Sequence, residues 1–314
     1  MSAALHRDSG VEDGIRHFLE HLRIERNYAQ YTLDSYRCDL QQFARFLYPR
    51  IADSALPIKQ IDRAIVREFV EDLQLRGMKN STVARKLTAL RSFFRFLCRE
   101  GVLTASPAHG IATPEVEVRP RPQLPLDKIE EAIELPDTGT FSGARDRAIL
   151  EVFYGGGVRL GELVALNLSA LDLEEGLLHL GRKGRKERTA PIGSLALNAL
   201  KAYIQRRADV LIEIDITQVE AGALFLNGRG RRLSRRSVQR LVHRYLHRVM
   251  EDGQSLSPHL LRHSFAAHLL HAGADLASVK EMLGHATVVS TQAYAEPTLE
   301  RLQRIYAQAH PRNE

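Results

Sequence analysis

Apolar residues recur at intervals of three and four along most of the chain, which is the spacing of an α-helix with one buried face. The pattern is strongest in two N-terminal stretches. Their apolar stripes are Leu33, Tyr36, Leu40, Phe43 and Leu47 in the first, and Val83, Leu87, Leu90, Phe94 and Leu97 in the second. We therefore predict an all-helical N-terminal region, in which Ser81 caps the start of the second helix.

A polar face lies opposite the second stripe. It consists of Arg85, Thr88, Ser92, Arg95 and Arg99. Arginines and hydroxyl groups at helical spacing suit a helix that rests on a core and contacts DNA phosphates. A solvated basic face explains the same pattern, and periodicity alone does not separate the two interpretations.

Prolines divide the chain. Five of them fall between positions 104 and 125, namely Pro107, Pro114, Pro120, Pro122 and Pro125. Prolines at this density stop helices and favour extended backbone. We predict a linker over residues 113–124, between a helical domain of residues 1–112 and a C-terminal domain of residues 125–314.

Apolar residues in the C-terminal domain follow two different spacings, one typical of strands and the other of helices. Residues 171–193 contain three short apolar runs separated by EEG and GRKGRKE, which is typical of a small antiparallel sheet with tight turns. Helical spacing surrounds this region, and Gly273 and Gly284 lie where helices are expected to end. The helical stretches cover residues 145–154, 159–168, 194–210, 234–251, 259–272, 275–283 and 297–308. The predicted fold class is mainly α, with a small antiparallel β-sheet in the C-terminal domain.

The composition narrows the class of protein. A length of 314 residues fits two domains, and the formal net charge of +6 suits a polyanionic partner without establishing one. Two cysteines exclude a disulfide scaffold, and we expect Cys38 and Cys98 to be reduced core residues. No segment reaches the roughly 20 uncharged apolar residues of a membrane helix, and the N-terminal residues lack the apolar core of a signal peptide. We expect a cytoplasmic protein that does not associate with a membrane.

Two basic runs could contact nucleic acid. The first, GRKGRKER, covers residues 181–188, and the second lies within residues 226–240 after an Asn227-Gly228 turn signal. Their cations are Arg182, Lys183, Arg185, Lys186 and Arg188 in the first, and Arg231, Arg232, Arg235 and Arg236 in the second. A cationic turn flanked by glycine can enter a groove of nucleic acid, but such turns are also common as exposed loops.

Candidate chemistry lies elsewhere along the C-terminal domain. Three glycines precede Arg159, and a glycine run lets backbone approach a bulky anion closely. Glu162 follows one helical turn later, where it could orient the Arg159 guanidinium or form an ordinary surface ion pair. Tyr294 lies nine residues after His285, and a tyrosine in that position is more often a packing residue than a nucleophile.

The segment SPHLLRHSFAAHLLHAG, residues 257–273, is rich in histidine. His259 and Arg262 lie three residues apart and therefore share one face of a helix. His259 and His263 have the spacing of metal ligands. No Glu follows His259 and no Asp, Glu or Cys within the helix completes a ligand set, so we predict no metal site.

Taken together, these stretches place six residues in a distinctive order: Arg159, Lys183, His259, Arg262, His285 and Tyr294. With the motifs VRLGELVALN, GRKGRKERTAPIG, SPHLLRHSFAAHLLHAGADL and LGHATVVSTQAY, the chain resembles the tyrosine recombinases (the phage integrase family). Within that family it is most similar to the Xer site-specific recombinases, particularly the XerC type. The resemblance covers nearly the whole chain, including a SAM-like core-binding domain at the N-terminus.

The resemblance implies a function for each residue. Tyr294 would attack a DNA phosphodiester and form a 3′-phosphotyrosyl bond. Arg159 and Arg262 would clamp the phosphate oxygens, Lys183 would protonate the leaving 5′-oxygen and His259 would help to take the tyrosine proton. His285 would hydrogen-bond a phosphate oxygen, and Glu162 would support Arg159 or His259. The reaction would need neither a cofactor nor a metal. DNA contacts are expected from Arg85, Arg95, Arg99, Arg182, Arg185, Lys186, Arg235 and Arg236.

The resemblance also implies partners. Two domains would clamp double-stranded DNA in a C shape, and a second Xer-type subunit would complete a cyclic tetramer, homomeric or heteromeric, in which residues 297–314 dock on a neighbour. A DNA translocase could act as activator, and the expected role is resolution of chromosome dimers. Gly161 and the Ala295-Glu296-Pro297 run depart from the usual Xer residues, which bears on the subgroup but not on the six positions.

Three alternatives stay open on sequence grounds. The first is an integrase or transposon recombinase of a mobile element, which the absence of an added arm-binding domain disfavours. The second is a non-catalytic DNA-binding relative, which the complete set of six residues argues against. The third is a type IB topoisomerase, which shares the chemistry but not the Xer-like N-terminal domain.

Overall fold

The chain forms two compact units, Met1–Arg119 and Pro120–Glu314. The computed structural model describes residues 9–26, 28, 30–48, 57–116, 123–181, 187–213, 220–250, 256–284 and 299–312. The division between the units falls among the prolines of residues 113–124. Within the described residues, no helix is both long enough and apolar enough to cross a bilayer.

Four helices and the 3₁₀ turn Ile58–Gln60 make up most of the described part of the first unit. The helices are α1 (Val11–Ile24), α2 (Gln30–Leu47), α3 (Arg63–Leu75) and α4 (Asn80–Arg99). Both predicted stripes face the core: Tyr36 packs against it partly buried, and the other nine residues are buried. Edge-on aromatic pairs such as Phe18 with Phe93, whose ring centroids lie 5.7 Å apart, fill the space between α1 and α4.

Two predictions for this unit are wrong. Helix α4 begins at Asn80 after Lys79, so Ser81 lies inside the first turn and caps nothing. Cys38 is exposed on α2, because it lies beside the apolar stripe rather than within it. Cys98 is partly buried, and both cysteines are free thiols.

The second unit is mainly helical and contains a small sheet, as its sequence pattern predicts. Its described helices are α5 (Leu126–Glu134), α6 (Phe141–Gly156), α7 (Leu160–Ala165), α8 (Ser194–Glu213), α9 (Arg235–Val249), α10 (Pro258–His271), α11 (Leu276–Met282) and α12 (Leu299–Ala309). The strands β1 (Leu171–Asp172), β2 (Leu177–Leu180) and β3 (Arg188–Pro191) pair antiparallel in the order β1-β2-β3. The register sets Leu177 opposite Pro191 and Leu180 opposite Arg188.

Helix α6 is the centre of this unit. It is buried on nearly every side, which explains why its sequence lacks the one-sided stripe of a surface helix. Thr140 caps its start by accepting a hydrogen bond from the Gly143 N–H at 3.0 Å. Around α6 pack α5, α8, α10 and β3, so its C-terminal end is fixed on several sides.

The tail helix α12 packs on its own unit. Leu302, Tyr306 and Ala309 are buried in the core, and the Tyr306 hydroxyl accepts a hydrogen bond from the Gly193 N–H at 3.0 Å. Arg312 then pairs with the buried Glu151 at 2.7 Å. The resemblance implied docking of residues 297–314 on a neighbouring subunit, whereas residues 299–312 lie against the chain that carries them.

Candidate active site

The end of α6 positions the first candidate residue. The backbone turns sharply at Gly157, whose φ of 52° lies in the left-handed region that favours glycine. A Cβ at this position would come within 2.6 Å of the Phe265 ring. The turn makes Arg159 the residue that precedes α7, with its side chain still 38% exposed.

Glu162 holds Arg159 in two ways. Its carboxylate accepts one hydrogen bond from the Arg159 backbone N–H and another from the Arg159 Nη1, both at 2.7 Å. The first satisfies a backbone donor at the start of α7, and the second orients the guanidinium. The spacing of these residues predicts such a contact, and the structure contains it.

The carbonyl of Gly284 holds the opposite side of the Arg159 guanidinium. Arg159 Nη2 donates a hydrogen bond to this oxygen at 2.7 Å. Gly284 ends α11 at a φ of 62°, and a Cβ there would lie 2.5 Å from Arg188 Cδ and 3.3 Å from Arg159 Nη1. The predicted helix stop at Gly284 is confirmed, and it lies against two arginines.

Arg262 is the buried arginine of the site. It lies on α10 with only 7% of its surface exposed, and it donates hydrogen bonds to the carbonyls of Gly157 and Leu283. Burial, reinforced by the positive charges of Arg159 and Arg188, lowers the pKa of Arg262 to about 10. The side chain is therefore still a cation at neutral pH, in a place where a cation is costly without an anion nearby.

Arg188 has a different environment from the one its sequence neighbours predict. In the sequence it belongs with the cations of the basic turn, but it is the first residue of β3 and its side chain is only 11% exposed. Arg188 Nη2 donates to Glu162 Oε2 at 2.7 Å and Nε to Glu162 Oε1 at 3.3 Å. The signal that could have found it is the two-residue period of a strand, which puts Arg188 on the same face as the buried Ala190.

We call Arg159, Arg188 and Arg262, with Glu162 among them, the arginine cluster. Burial alone would raise the pKa of Glu162, but hydrogen bonds and charge from Arg188 and Arg159 outweigh it and hold that pKa below its ordinary value. Glu162 is therefore ionised at neutral pH. One negative charge among three positive ones leaves an excess of two, which an anionic group such as a phosphate could neutralise.

The remaining site predictions have mixed outcomes. His259 lies exposed in the first turn of α10, three residues before the buried Arg262, so the two occupy one helix but not the same environment.

Within the part of the chain that the structure describes, no group of three or more His, Cys, Asp or Glu side chains could hold a metal ion. The predicted catalytic Lys183, His285 and Tyr294 lie outside the described residues, as do the predicted DNA-contact residues Arg182, Arg185 and Lys186.

The described DNA-contact candidates differ in their environment. Arg95, Arg99, Arg235 and Arg236 are exposed. Arg85 instead pairs with the buried Asp39, although half of its side chain remains exposed. Arg232, which we expected near DNA, points into its own unit and donates to the carbonyls of Val164 and Leu166 at 2.9 and 2.7 Å. These bonds satisfy carbonyls at the end of α7, so Arg232 has a structural role within its unit, and its proximity to DNA stays a prediction.

Comparison with known proteins places this geometry in a family. Residues 123–301 match the phage integrase family, and residues 15–101 match the phage integrase N-terminal SAM-like domain. The chain is 41% identical to tyrosine recombinase XerC of Pelotomaculum thermopropionicum over 300 residues, covering 95% of this chain and 98% of the relative. It is 42% identical to tyrosine recombinase XerC of Azotobacter vinelandii over 295 residues, covering 94% and 95% respectively.

Solved structures support the same fold. The crystal structure of the XerH site-specific recombinase bound to palindromic difH substrate, a post-cleavage complex, matches with a TM-score of 0.67 at 20% identity. The match covers 95% of this chain and 80% of that one. With the family match and the identity to full-length relatives, it follows that this chain belongs to the phage integrase family and is a site-specific tyrosine recombinase.

Proposed function

We propose that this recombinase cuts and rejoins double-stranded DNA through a 3′-phosphotyrosyl intermediate, and that it resolves chromosome dimers. The observation that carries the chemical part is the arginine cluster, with its excess of positive charge and its partly exposed Arg159. The biological part rests on the XerC relatives, which align over almost their entire length. The chromosome lies in the cytoplasm, which is where we place the protein.

Two guanidinium groups would stabilise the negative charge that develops on the phosphate in the transition state. The transition state of phosphoryl transfer carries added negative charge on the non-bridging oxygens. Arg159 and Arg262 are held by backbone carbonyls and by Glu162, so their orientation need not change during the reaction. Preorganised donors of this kind contribute the largest part of many rate enhancements.

The proton transfers are assigned through the family resemblance. The Tyr294 oxygen attacks the phosphorus, and the bond between phosphorus and the 5′-oxygen breaks. The tyrosine proton leaves with the help of His259, while Lys183 gives a proton to the departing 5′-oxygen and His285 bonds a phosphate oxygen. A 5′-hydroxyl from another strand reverses both transfers, so the number of phosphodiester bonds is conserved and no ATP is consumed.

The assembly we propose is a cyclic tetramer on double-stranded DNA. Both units of each chain would contact the duplex. A second Xer-type recombinase would supply half of the subunits, or all four would be identical. A DNA translocase is a further candidate, as activator. Residues 299–312 pack in cis here, so joining such a ring would require the tail to leave its own unit.

The test is covalent trapping of protein on DNA. The protein is incubated, without metal or ATP, with nicked duplexes that carry the dimer-resolution site of the host chromosome, and the products are separated on a denaturing gel. We expect a protein–DNA adduct for the wild type and none for Tyr294→Phe, which should still bind the duplex. An adduct that persists in Tyr294→Phe would refute the nucleophile assignment.

The biological role needs a second readout. A plasmid dimer with two directly repeated resolution sites should be converted to monomers by the wild type in the presence of its partner subunit. Cleavage only at the ends of a mobile element would instead support the integrase alternative. Binding without an adduct, even with the partner present, would support the non-catalytic alternative.

A further inference from the structure

Arg188 contacts three segments that carry site residues. Its Nε and Nη2 atoms donate hydrogen bonds to the two carboxylate oxygens of Glu162, and Nη1 donates to the Met282 carbonyl at the end of α11. Nη2 also lies 3.5 Å from the Gly157 carbonyl, in the turn before Arg159. Arg188 is also the first residue of β3, paired with Leu180, and Lys183 lies between these two residues in the sequence.

The partners of Arg188 argue against direct contact with DNA. Both oxygens of Glu162 already neutralise its charge, whereas the similarly buried Arg262 bonds only backbone carbonyls. Arg188 is only 11% exposed, whereas Arg159 is 38% exposed. The Nε, Nη1 and Nη2 atoms of Arg188 each already donate to a protein oxygen. A phosphate would therefore be bound by the more exposed Arg159 rather than by Arg188.

The hydrogen bonds define how Arg188 could act. Glu162 Oε1 accepts from both Arg159 Nη1 and Arg188 Nε, and Oε2 accepts from the Arg159 backbone and from Arg188 Nη2. The Arg188 fork thus fixes the plane of the carboxylate, and the carboxylate fixes the Arg159 guanidinium. Without Arg188, a partly buried Glu162 would retain one cationic partner and could rotate about its side chain.

We propose that Arg188 is a positioning residue for strand cleavage, which acts on the Arg159 guanidinium through Glu162. The inference rests on the proposed function, because it concerns the same reaction. It assigns Arg188 to the architecture of the site and not to the DNA-contacting surface of the basic turn. Its predicted effect is on the rate of cleavage at saturating protein, with little effect on DNA affinity.

The first measurement is single-turnover cleavage of the nicked duplex. We expect Arg188→Met to lower the cleavage rate constant by about 10- to 100-fold, the order of effect that follows a small misplacement of a reacting group. DNA affinity, measured in the Tyr294→Phe background to prevent cleavage, should change by less than about threefold. Arg188→Lys should be intermediate, since lysine keeps the charge but cannot form the fork.

The second measurement separates positioning from general structural support. If Arg188 acts through Glu162, the double variant Arg188→Met with Glu162→Gln should cleave about as slowly as the slower single variant. Arg232→Met is the matched control, because Arg232 also bonds carbonyls at α7 but does not contact Glu162. Its effect on cleavage should multiply with that of Glu162→Gln.

The outcomes are distinguishable. If the wild type forms no adduct even with its partner subunit present, the proposed function fails and this inference fails with it. If the wild type cleaves and Arg188→Met cleaves as fast, or its effect multiplies with that of Glu162→Gln, only the positioning role is overturned. Thermal unfolding of each variant identifies loss of fold, and should Arg188→Met not fold, Arg188→Lys carries the same comparison with Glu162→Gln.

Discussion

Each unit of the chain contains a cluster of charges around one carboxylate, and the two clusters differ in how the charge is balanced. In the first unit Asp39, only 3% exposed, pairs with Arg85 and with the buried Lys86 Nζ at 2.9 Å. In the second unit Glu162 pairs with Arg159 and Arg188, while Arg262 is buried with hydrogen bonds only to backbone carbonyls. Each carboxylate faces more than one cation. Every cation of the first cluster pairs with Asp39, whereas the buried Arg262 of the second pairs with no carboxylate in the described part of the chain.

Under the proposed function, the difference separates a stabilising cluster from a catalytic one. Ion pairs as such do not mark a site, since both clusters contain them. A buried guanidinium bound only by carbonyls does not mark a site either, because Arg207 is buried with hydrogen bonds to the carbonyls of Ala221 and Ala223. The informative feature of the second cluster is that three guanidinium groups converge on one carboxylate, which leaves positive charge that a substrate phosphate could neutralise.

The largest expected effect is on folding stability, when the carboxylate is removed from the cluster around Asp39. Asp39→Ala leaves Lys86 buried without an anion, which should lower the free energy of unfolding by about 3–5 kcal/mol. Urea denaturation of the full chain measures this change. Asp34→Ala, which breaks an exposed pair with Arg37 on the same helix, should cost less than about 1 kcal/mol. Equal decreases in the two variants would contradict the comparison.

The next largest effect is expected in the arginine cluster, where the substitution removes the buried Arg262. Arg262→Gln should reduce the rate of DNA cleavage by about 100- to 1,000-fold, because it removes a preorganised donor for the phosphate oxygens. Unlike Asp39→Ala, it removes the buried charge itself, so we expect a smaller decrease in folding stability. Single-turnover cleavage and urea denaturation of the same preparation test both parts. A variant that is destabilised as Asp39→Ala is, yet cleaves normally, would reverse the assignment of the two clusters.

A buried neutral group distinguishes the second unit in another way. Burial lowers the pKa of His310 to about 4, from an ordinary value of 6.5, and its ring stacks on Tyr306 with centroids 4.6 Å apart. The unfolded chain binds this proton below about pH 6.5 and the folded chain does not until about pH 4. Stability should therefore fall as pH decreases through this window, by up to about 3 kcal/mol.

Comparison of variants isolates that contribution. Glu151 has a raised pKa through burial and opposes the trend, whereas His268 has a lowered pKa through burial and adds to it. The difference between wild type and His310→Gln in denaturation at pH 4.5 and pH 7 removes both. Exposed His179 is the control, and His179→Gln should keep the wild-type pH dependence. No flattening in His310→Gln would show that the tail does not bury a neutral imidazole.

The smallest effect concerns the exposed arginines. Arg95→Gln on α4 should weaken DNA binding a few-fold, because the duplex then has one phosphate fewer neutralised by the protein. The slope of log affinity against log salt should become shallower by about 0.9, the value for a single phosphate. Binding in the Tyr294→Phe background at several salt concentrations measures the slope. An unchanged slope would make this helix face a solvated surface, which is the alternative that periodicity left open.

Much of the fold followed from periodicity, because burial imposes it directly on the sequence. The stripe of α4 and the three strands were predicted to within a few residues for that reason. Helix caps were less predictable: Lys79 precedes α4 and provides no side-chain cap, and no residue pattern distinguished this start from one at Ser81. Cys38 shows the same limit, since one position around a helix separates its exposed face from its core.

The sequence predicted which residue types form the site, but not which way their side chains point. Arg159 and Glu162 could be paired from their spacing along one helical turn. Arg188 and Arg232 both belong to basic runs that suggest exposed cations, yet both side chains point inward to bind carbonyls. A sequence states that a side chain is charged, whereas its partners come from elements distant along the chain.

The two glycines beside the arginine cluster limit how this enzyme could be redesigned. At Gly157 and Gly284 the backbone adopts a left-handed conformation, and an added methyl group would collide with Phe265 in one case and with Arg188 in the other. A mutant library intended to change the DNA target would therefore waste its diversity at these positions. Variation is better directed to the exposed arginines of α4 and α9, where new side chains meet solvent.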